Sequence, residues 1–149
     1  MGKNDYNWNF KNTIVKSNKN IIFDNSKKTS FSRYSESRLV VHDYLSTSYL
    51  ETLALNIPTI CIYDVDSAYC FRKQAQPFID DLESVEILHR TAESAAEFVN
   101  RVESHPEDWW HSTRVQDVRR NFCEQYANFS HDWKSLWGKE FKRILSLDI

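Results

Sequence analysis

The stretch from Leu39 to Tyr63 constrains the fold of this chain more than any other. Leu39-Val40-Val41 is a short, continuous apolar run that ends at His42-Asp43. Tyr49, Leu50, Leu53 and Ala54 then recur at helical spacing, and Thr59-Ile60-Cys61-Ile62-Tyr63 is apolar and partly β-branched. Short runs without polar alternation suit strands that are buried on both faces of a sheet. Asn56 is placed to terminate the intervening helix and Pro58 prevents its continuation. Strand, helix and strand in so few residues form a βαβ unit, whose crossover joins parallel strands and is almost always right-handed. The expected class is therefore α/β with a parallel, Rossmann-like sheet.

The flanking sequence extends that pattern. Ile21-Ile22-Phe23 predicts an earlier buried strand, and the Ser-rich segment from Ser26 to Ser37 a short helix. Downstream, residues 68–82 have a mixed helical pattern interrupted by Pro77, Val85 to Leu88 predicts a further strand, and Thr91 opens a helix reaching about Glu103. From Pro106 to Leu147 the three- and four-residue spacing of Trp109, Trp110, Val115, Phe122, Trp133 and Trp137 predicts two or three amphipathic helices. Three parts are expected: a polar lead-in over 1–19, an α/β domain over 20–130, and a C-terminal helix over 131–149 packing on it.

Composition removes several function classes. The chain has only two glycines, Gly2 and Gly138, so neither a dinucleotide fingerprint nor a P-loop is present. A formal charge of -2 leaves no basic surplus for sequence-independent nucleic-acid binding, so no nucleic-acid partner is expected. Cys61, Cys70 and Cys123 form no CxxC pair, and His105, His111 and His131 lack metal-site spacing, so neither a metal nor a cofactor is expected. The cysteines suit a reducing compartment, as buried small side chains. No signal-type run and no transmembrane-length apolar stretch is evident, and a cytoplasmic location is the expectation.

In a parallel sheet, ligands bind beyond the carboxyl ends of the strands, which directs attention to the loop Asp43 to Ser48. It leads into a helix whose first N–H groups lack intrahelical partners and carry about half a positive charge. With the hydroxyls of Ser46, Thr47 and Ser48 those groups suit a phosphate or diphosphate; the competing reading is that Ser46 or Thr47 simply caps the helix. Asp43 fits either an acceptor for substrate hydroxyls or an Asx turn. Glu51, one turn into the helix, fits either a bidentate grip on ribose hydroxyls or a surface partner of the helix dipole. His42 fits a base or a hydrogen-bonded packing residue, and Arg72 and Lys73 fit either a diphosphate counter-charge or a solvated face. No catalytic residue is assigned.

The run LVVHDYLSTSYLETLALNIPTICIY over residues 39–63 resembles the donor-binding half of glycosyltransferases built from two Rossmann domains (GT-B). More narrowly, it resembles a bacterial family of surface-carbohydrate transferases similar in style to the polymerases that use CDP-glycerol. Asp43, Ser46, Thr47, Leu50, Glu51, Asn56, Pro58 and Thr59 carry the likeness. Trp109-Trp110, Arg119 or Arg120, Phe122 and Tyr126 extend it to about residues 20–130. The resemblance implies the C-terminal, donor-binding half of a GT-B enzyme. A nucleotide-activated sugar or polyol phosphate would lie with its diphosphate at the helix N-terminus and its ribose on Glu51. It also implies that the acceptor-binding half is absent, so that the chain is inactive alone. The alternative function is a non-catalytic interaction module that keeps the fold and uses the Trp-rich tail as its contact surface.

Overall fold

The computed structural model describes residues 14, 16, 18, 20–63 and 71–147. Most of the lead-in over 1–19, the beginning of the helical pattern at 68–70, Cys70, and residues 148–149 lie outside the described residues. In chain order the elements are α1 (Ser30–Glu36), β1 (Val40–His42), α2 (Thr47–Ala54), β2 (Thr59–Ile62), α3 (Gln76–Ser84), β3 (Leu88–His89), α4 (Ala92–Val102), α5 (Pro106–Trp110), α6 (Thr113–Tyr126) and α7 (Trp133–Leu145). The three strands form one sheet in the order β1-β2-β3, and both pairs are parallel. The chain is thus α/β with a parallel sheet, an arrangement compatible with a Rossmann-like domain.

β2 is the central strand, and its alternating side chains separate the core into two layers. Cys61, followed by Tyr63, packs with Leu53 of α2, with Ile79 and Leu82 of α3, and with Val115 and Phe122 of α6. Ile60 points the other way and packs with Ala95 and Phe98 of α4. This is the period-two division of a strand covered on both faces, so the apolar run needs no polar alternation. Val41 pairs in register with Ile60 and shares its face, but stays 49% exposed because it lies outside that cluster.

Both returns from helix to strand use the same stop. At the end of α2, Asn56 takes a left-handed φ of 57°, its N–H donates to the Leu53 carbonyl (3.1 Å), and Ile57 N–H donates to the Thr52 carbonyl (3.0 Å). At the end of α3, Glu86 has φ 62°, with Glu86 N–H to Glu83 O at 2.9 Å and Ile87 N–H to Leu82 O at 3.0 Å. These are Schellman motifs, built without glycine. The second one moves the third strand: the expected strand at Val85–Leu88 is instead β3 at Leu88–His89, because Val85 and Glu86 are used to end the helix.

Three other expectations require correction. Ile21-Ile22-Phe23 is not a strand; Ile22 is 90% exposed and none of the three joins the sheet. The following residues make local bonds instead: Asp24 accepts from Ser26 N–H (2.8 Å), Ser26 from Lys28 N–H (3.2 Å) and Thr29 from Ser32 N–H (3.2 Å). Such bonds direct the chain into α1 rather than into a ladder. Pro77 does not interrupt α3 but sits in its first turn, where its missing N–H costs nothing. Arg72 and Lys73 precede α3 rather than lying on it, and the Arg72 carbonyl accepts from Ala75 and Gln76.

The C-terminal helices divide into two kinds. Trp110 is wholly buried, and Val115, Phe122 and Cys123 of α6 join the main core. α7 buries none of its residues.

Candidate functional site

The junction from β1 to α2 is held by His42, the last residue of β1. Its imidazole is buried and lies edge-on to the Tyr34 ring at 6.0 Å. Its Nε2 is 3.1 Å from Thr52 Oγ1, while the Thr52 hydroxyl donates to the Tyr49 carbonyl at 3.0 Å. Because that hydroxyl proton is committed, His42 Nε2–H is the donor to Thr52, which assigns the tautomer. Nδ1 is then the acceptor, and it faces Ser48 Oγ at 3.4 Å. Ser48 in turn lies 2.6 Å from Ser46 Oγ. With the Ser48 proton directed at His42, Ser46 donates to Ser48.

This chain of hydroxyls explains a feature of α2. Ser46 occupies the N-cap with extended backbone (φ -127°, ψ 179°), yet its side chain makes no capping bond. The hydroxyl that would accept from the first-turn amides is turned sideways to Ser48. Among the described residues, the N-cap side chain thus leaves the outward first-turn N–H groups to solvent or to an anion.

The expected site residues are placed as follows. Asp43 is exposed immediately beyond β1; Ser46 and Ser48 are half-buried and bonded to each other; Thr47 is exposed at the first helical position; Glu51 is half-buried on the next turn. Thr47 and Glu51 are four residues apart and share a helix face. The carboxylates of Asp43 and Glu51 both raise the His42 pKa, so both lie within electrostatic reach of that ring. Burial is the larger influence and lowers it below its ordinary value, which keeps the imidazole neutral. The structure therefore links His42 to Ser48 and Ser48 to Ser46, while Asp43 and Glu51 act on the His42 ring through their charge. His42 is a hydrogen-bonded packing residue in this arrangement.

The far end of α2 is clamped by residues that sequence reasoning had not assigned to the site. Trp110 Nε1–H donates to both the backbone carbonyl (3.1 Å) and the side-chain Oδ1 (3.0 Å) of Asn56. Arg119 Nη1 donates to the Leu53 carbonyl at 2.9 Å, placing a cation at the negative end of the helix. Gln116 links the two, accepting from Arg119 Nε (3.2 Å) and donating to the Trp110 carbonyl (2.7 Å). The sequence signal for this clamp was the pattern of Trp109-Trp110 with Arg119 or Arg120, which carried no contact information.

Two cavities lie near the sheet. One of about 200 Å³ is walled by Tyr49, Leu50, Phe71, Ile79, Phe122 and Tyr126, beside α2. Another, of about 260 Å³, flanks β3 between Glu83, Glu86, His89, Arg90, Thr91 and Ser94. In the second, His89 Nε2–H donates to the Glu86 carbonyl (3.0 Å), Ser94 Oγ donates to Nδ1 (2.9 Å), and Arg90 takes a two-pronged grip on Glu83 (3.0 and 2.9 Å). Its polar groups are thus paired with one another. Cys61 and Cys123 are buried free thiols with pKa values pushed up by burial, that of Cys61 to about 12. Among the described residues, no group of three or more His, Cys, Asp and Glu side chains is placed to hold a metal ion. No helix among them is long and apolar enough to cross a membrane.

A family model described as LIC12162 family transferase matches residues 2–141 of the chain. No curated protein and no solved structure matches it.

Proposed function

We propose, from the premise that the chain belongs to the LIC12162 family of transferases, that the junction of β1 and α2 binds the diphosphate of a nucleotide-activated donor. The donor is a nucleotide sugar or a polyol phosphate, and the chain is the donor-binding half of a GT-B glycosyltransferase-like enzyme of surface-polysaccharide biosynthesis. It works in the cytoplasm together with an acceptor-binding half and is inactive alone. The N–H groups at the start of α2, with Ser46, Thr47 and Ser48, meet the diphosphate. Glu51 takes the ribose hydroxyls and Asp43 a further donor hydroxyl. As the donor bond breaks, charge builds on the leaving diphosphate, and the helix terminus stabilises it without a required metal.

The observation that carries this reading is the N-cap of α2. In a transferase-family chain, at the carboxyl end of a parallel strand, Ser46 holds the cap position while its hydroxyl is bonded to Ser48 instead of to the helix. That α2 begins just beyond the carboxyl end of parallel strand β1, the side on which open parallel sheets commonly bind ligands, supports the reading. The rival reading, a non-catalytic interaction module, draws on α7, which buries none of its residues. Burial of Trp110, Val115 and Phe122 against the sheet favours the donor-binding reading for the rest of the tail.

A two-dimensional amide NMR titration with UDP, CDP and GDP tests it. One nucleotide should shift the amides of Ser46 to Glu51, and Glu51→Ala should weaken its binding about tenfold or more, the effect of losing a charge-assisted hydrogen bond. A well-dispersed spectrum in which no nucleotide moves that loop would sink the proposal.

A further inference from the structure

α7 is amphipathic, and nothing among the described residues covers its apolar face. Projected at 100° per residue, Trp133, Trp137, Phe141 and Ile144 fall on one side, bordered by Lys134 and Glu140, and Lys139, Lys142 and Arg143 fall on the other. Trp133, Trp137 and Phe141 are 56%, 55% and 55% exposed. Trp137 and Phe141 pack on each other, with ring centroids 5.4 Å apart, and Lys134 lies over the Trp133 ring at 5.5 Å. Beside Trp133 and Trp137 is an open groove of about 290 Å³, which Leu136, Glu140 and, from the preceding loop, Asn128 and Ser130 also line.

The charge pattern identifies the occupant. Within the helix Lys134, Lys139, Lys142 and Arg143 face a single acid, Glu140, which Arg143 already holds at 2.7 and 2.8 Å. This excess of positive charge sits in a chain of formal charge -2, so the basic residues are concentrated locally. A helix seated in a protein groove uses its apolar side and needs no basic outer face. Bulky aromatics on one side with Lys and Arg on the other is the composition of a helix lying at a lipid interface. At 13 residues it is about 20 Å long, too short to cross a bilayer, so it lies along the surface.

We propose that α7 binds an anionic membrane surface, placing Trp133, Trp137, Phe141 and Ile144 among the headgroups and acyl ends while Lys139 and Lys142, which Glu140 does not hold, meet lipid phosphates. The proposal stands apart from the donor-site reading: either can fail without the other.

Flotation of the whole chain with vesicles tests it, using phosphatidylcholine alone and phosphatidylcholine mixed with phosphatidylglycerol. The chain should float with the anionic vesicles only, and less so at high salt. The pair Lys139→Glu and Lys142→Glu should lower its partitioning about 25-fold or more, at roughly fivefold for each basic residue lost. Because α7 buries no residue, these variants should keep the far-ultraviolet circular dichroism of the parent. Absence of the unaltered chain from the anionic vesicles overturns the proposal, as does equal flotation of the charge-reversed pair. Self-association of the lipid-free chain with protection of α7 amides overturns it too, since the face would then be taken by a second copy.

Discussion

Replacing single tryptophans with alanine should separate the two kinds of C-terminal helix. Trp110 has no exposed surface, and its ring lies in the main core beside Trp109, at a centroid distance of 5.3 Å. Truncating a fully buried Trp costs about 3–5 kcal/mol through lost transfer energy and the cavity left behind. The two bonds from Nε1 to Asn56 add about 1 kcal/mol, since Asn56 is exposed and water replaces the indole there. Trp110→Ala should therefore destabilise by roughly 4–6 kcal/mol, a large share of the ~5–15 kcal/mol typical of a domain. For a chain of this size the thermal midpoint should fall by about 10–20 °C. Trp137, half exposed on α7, should change stability by no more than about 0.5 kcal/mol when replaced. Urea unfolding followed by circular dichroism at 222 nm measures both. If Trp137→Ala costs as much as Trp110→Ala, α7 packs on the domain and the argument from exposure is wrong for the whole tail.

Two further outcomes are expected. Glu86 holds a left-handed φ of 62° at the end of α3, and glycine relieves that strain, so Glu86→Gly should stabilise by up to about 1 kcal/mol despite losing its exposed pair with Arg101. A clear loss of stability in urea would show that the turn is not strained. Burial lowers the pKa of both His42 and His89, so at mildly acidic pH the unfolded chain binds protons that the folded chain refuses. The stability due to their neutral burial is complete above the unfolded value of 6.5 and is lost as pH falls through the folded values. Urea midpoints should accordingly drop between about pH 7.5 and pH 5, and a flat profile would refute the assignment.

The sequence made some of this legible because the signals were local. The change of period between Val40, the helix at Tyr49 to Ala54, and Ile60 is written in adjacent residues, and the observed β1, α2 and β2 lie within a residue or two of their expected bounds. Asn56 was readable as a stop because asparagine tolerates the left-handed backbone. Glu86 adopts the same conformation, but nothing in a glutamate announces it, and the third strand was expected too early. Ile21 to Phe23 misled for a different reason: an apolar run becomes a strand only if a partner edge is present, and pairing is not local. The roles of Trp110 and Arg119 were hidden because each contacts a residue more than fifty positions away. The contrast between Trp110 and Trp137 was equally hidden, since buried and exposed tryptophans follow the same helical spacing.

The candidate site gains its geometry from contacts that differ at the two ends of α2. At the C-terminal end the helix is fixed by hydrogen bonds from Arg119, to the Leu53 carbonyl, and Trp110, to Asn56, both drawn from the helices that follow the sheet. At the N-terminal end, His42 bonds Thr52 one turn inside the helix and holds Ser48 through its other nitrogen. The imidazole thus anchors the first two turns from the side, while the hydroxyl of the N-cap residue Ser46 leaves the terminal amides uncapped. A helix fixed in this way presents its positive end in a set position, so that the proposed binding of an anion there would need little reorganisation, the condition under which a dipole contributes most to binding and to charge stabilisation. His42 is consequently a positioning residue: its neutral, buried state is what allows Nε2 to donate and Nδ1 to accept at the same time.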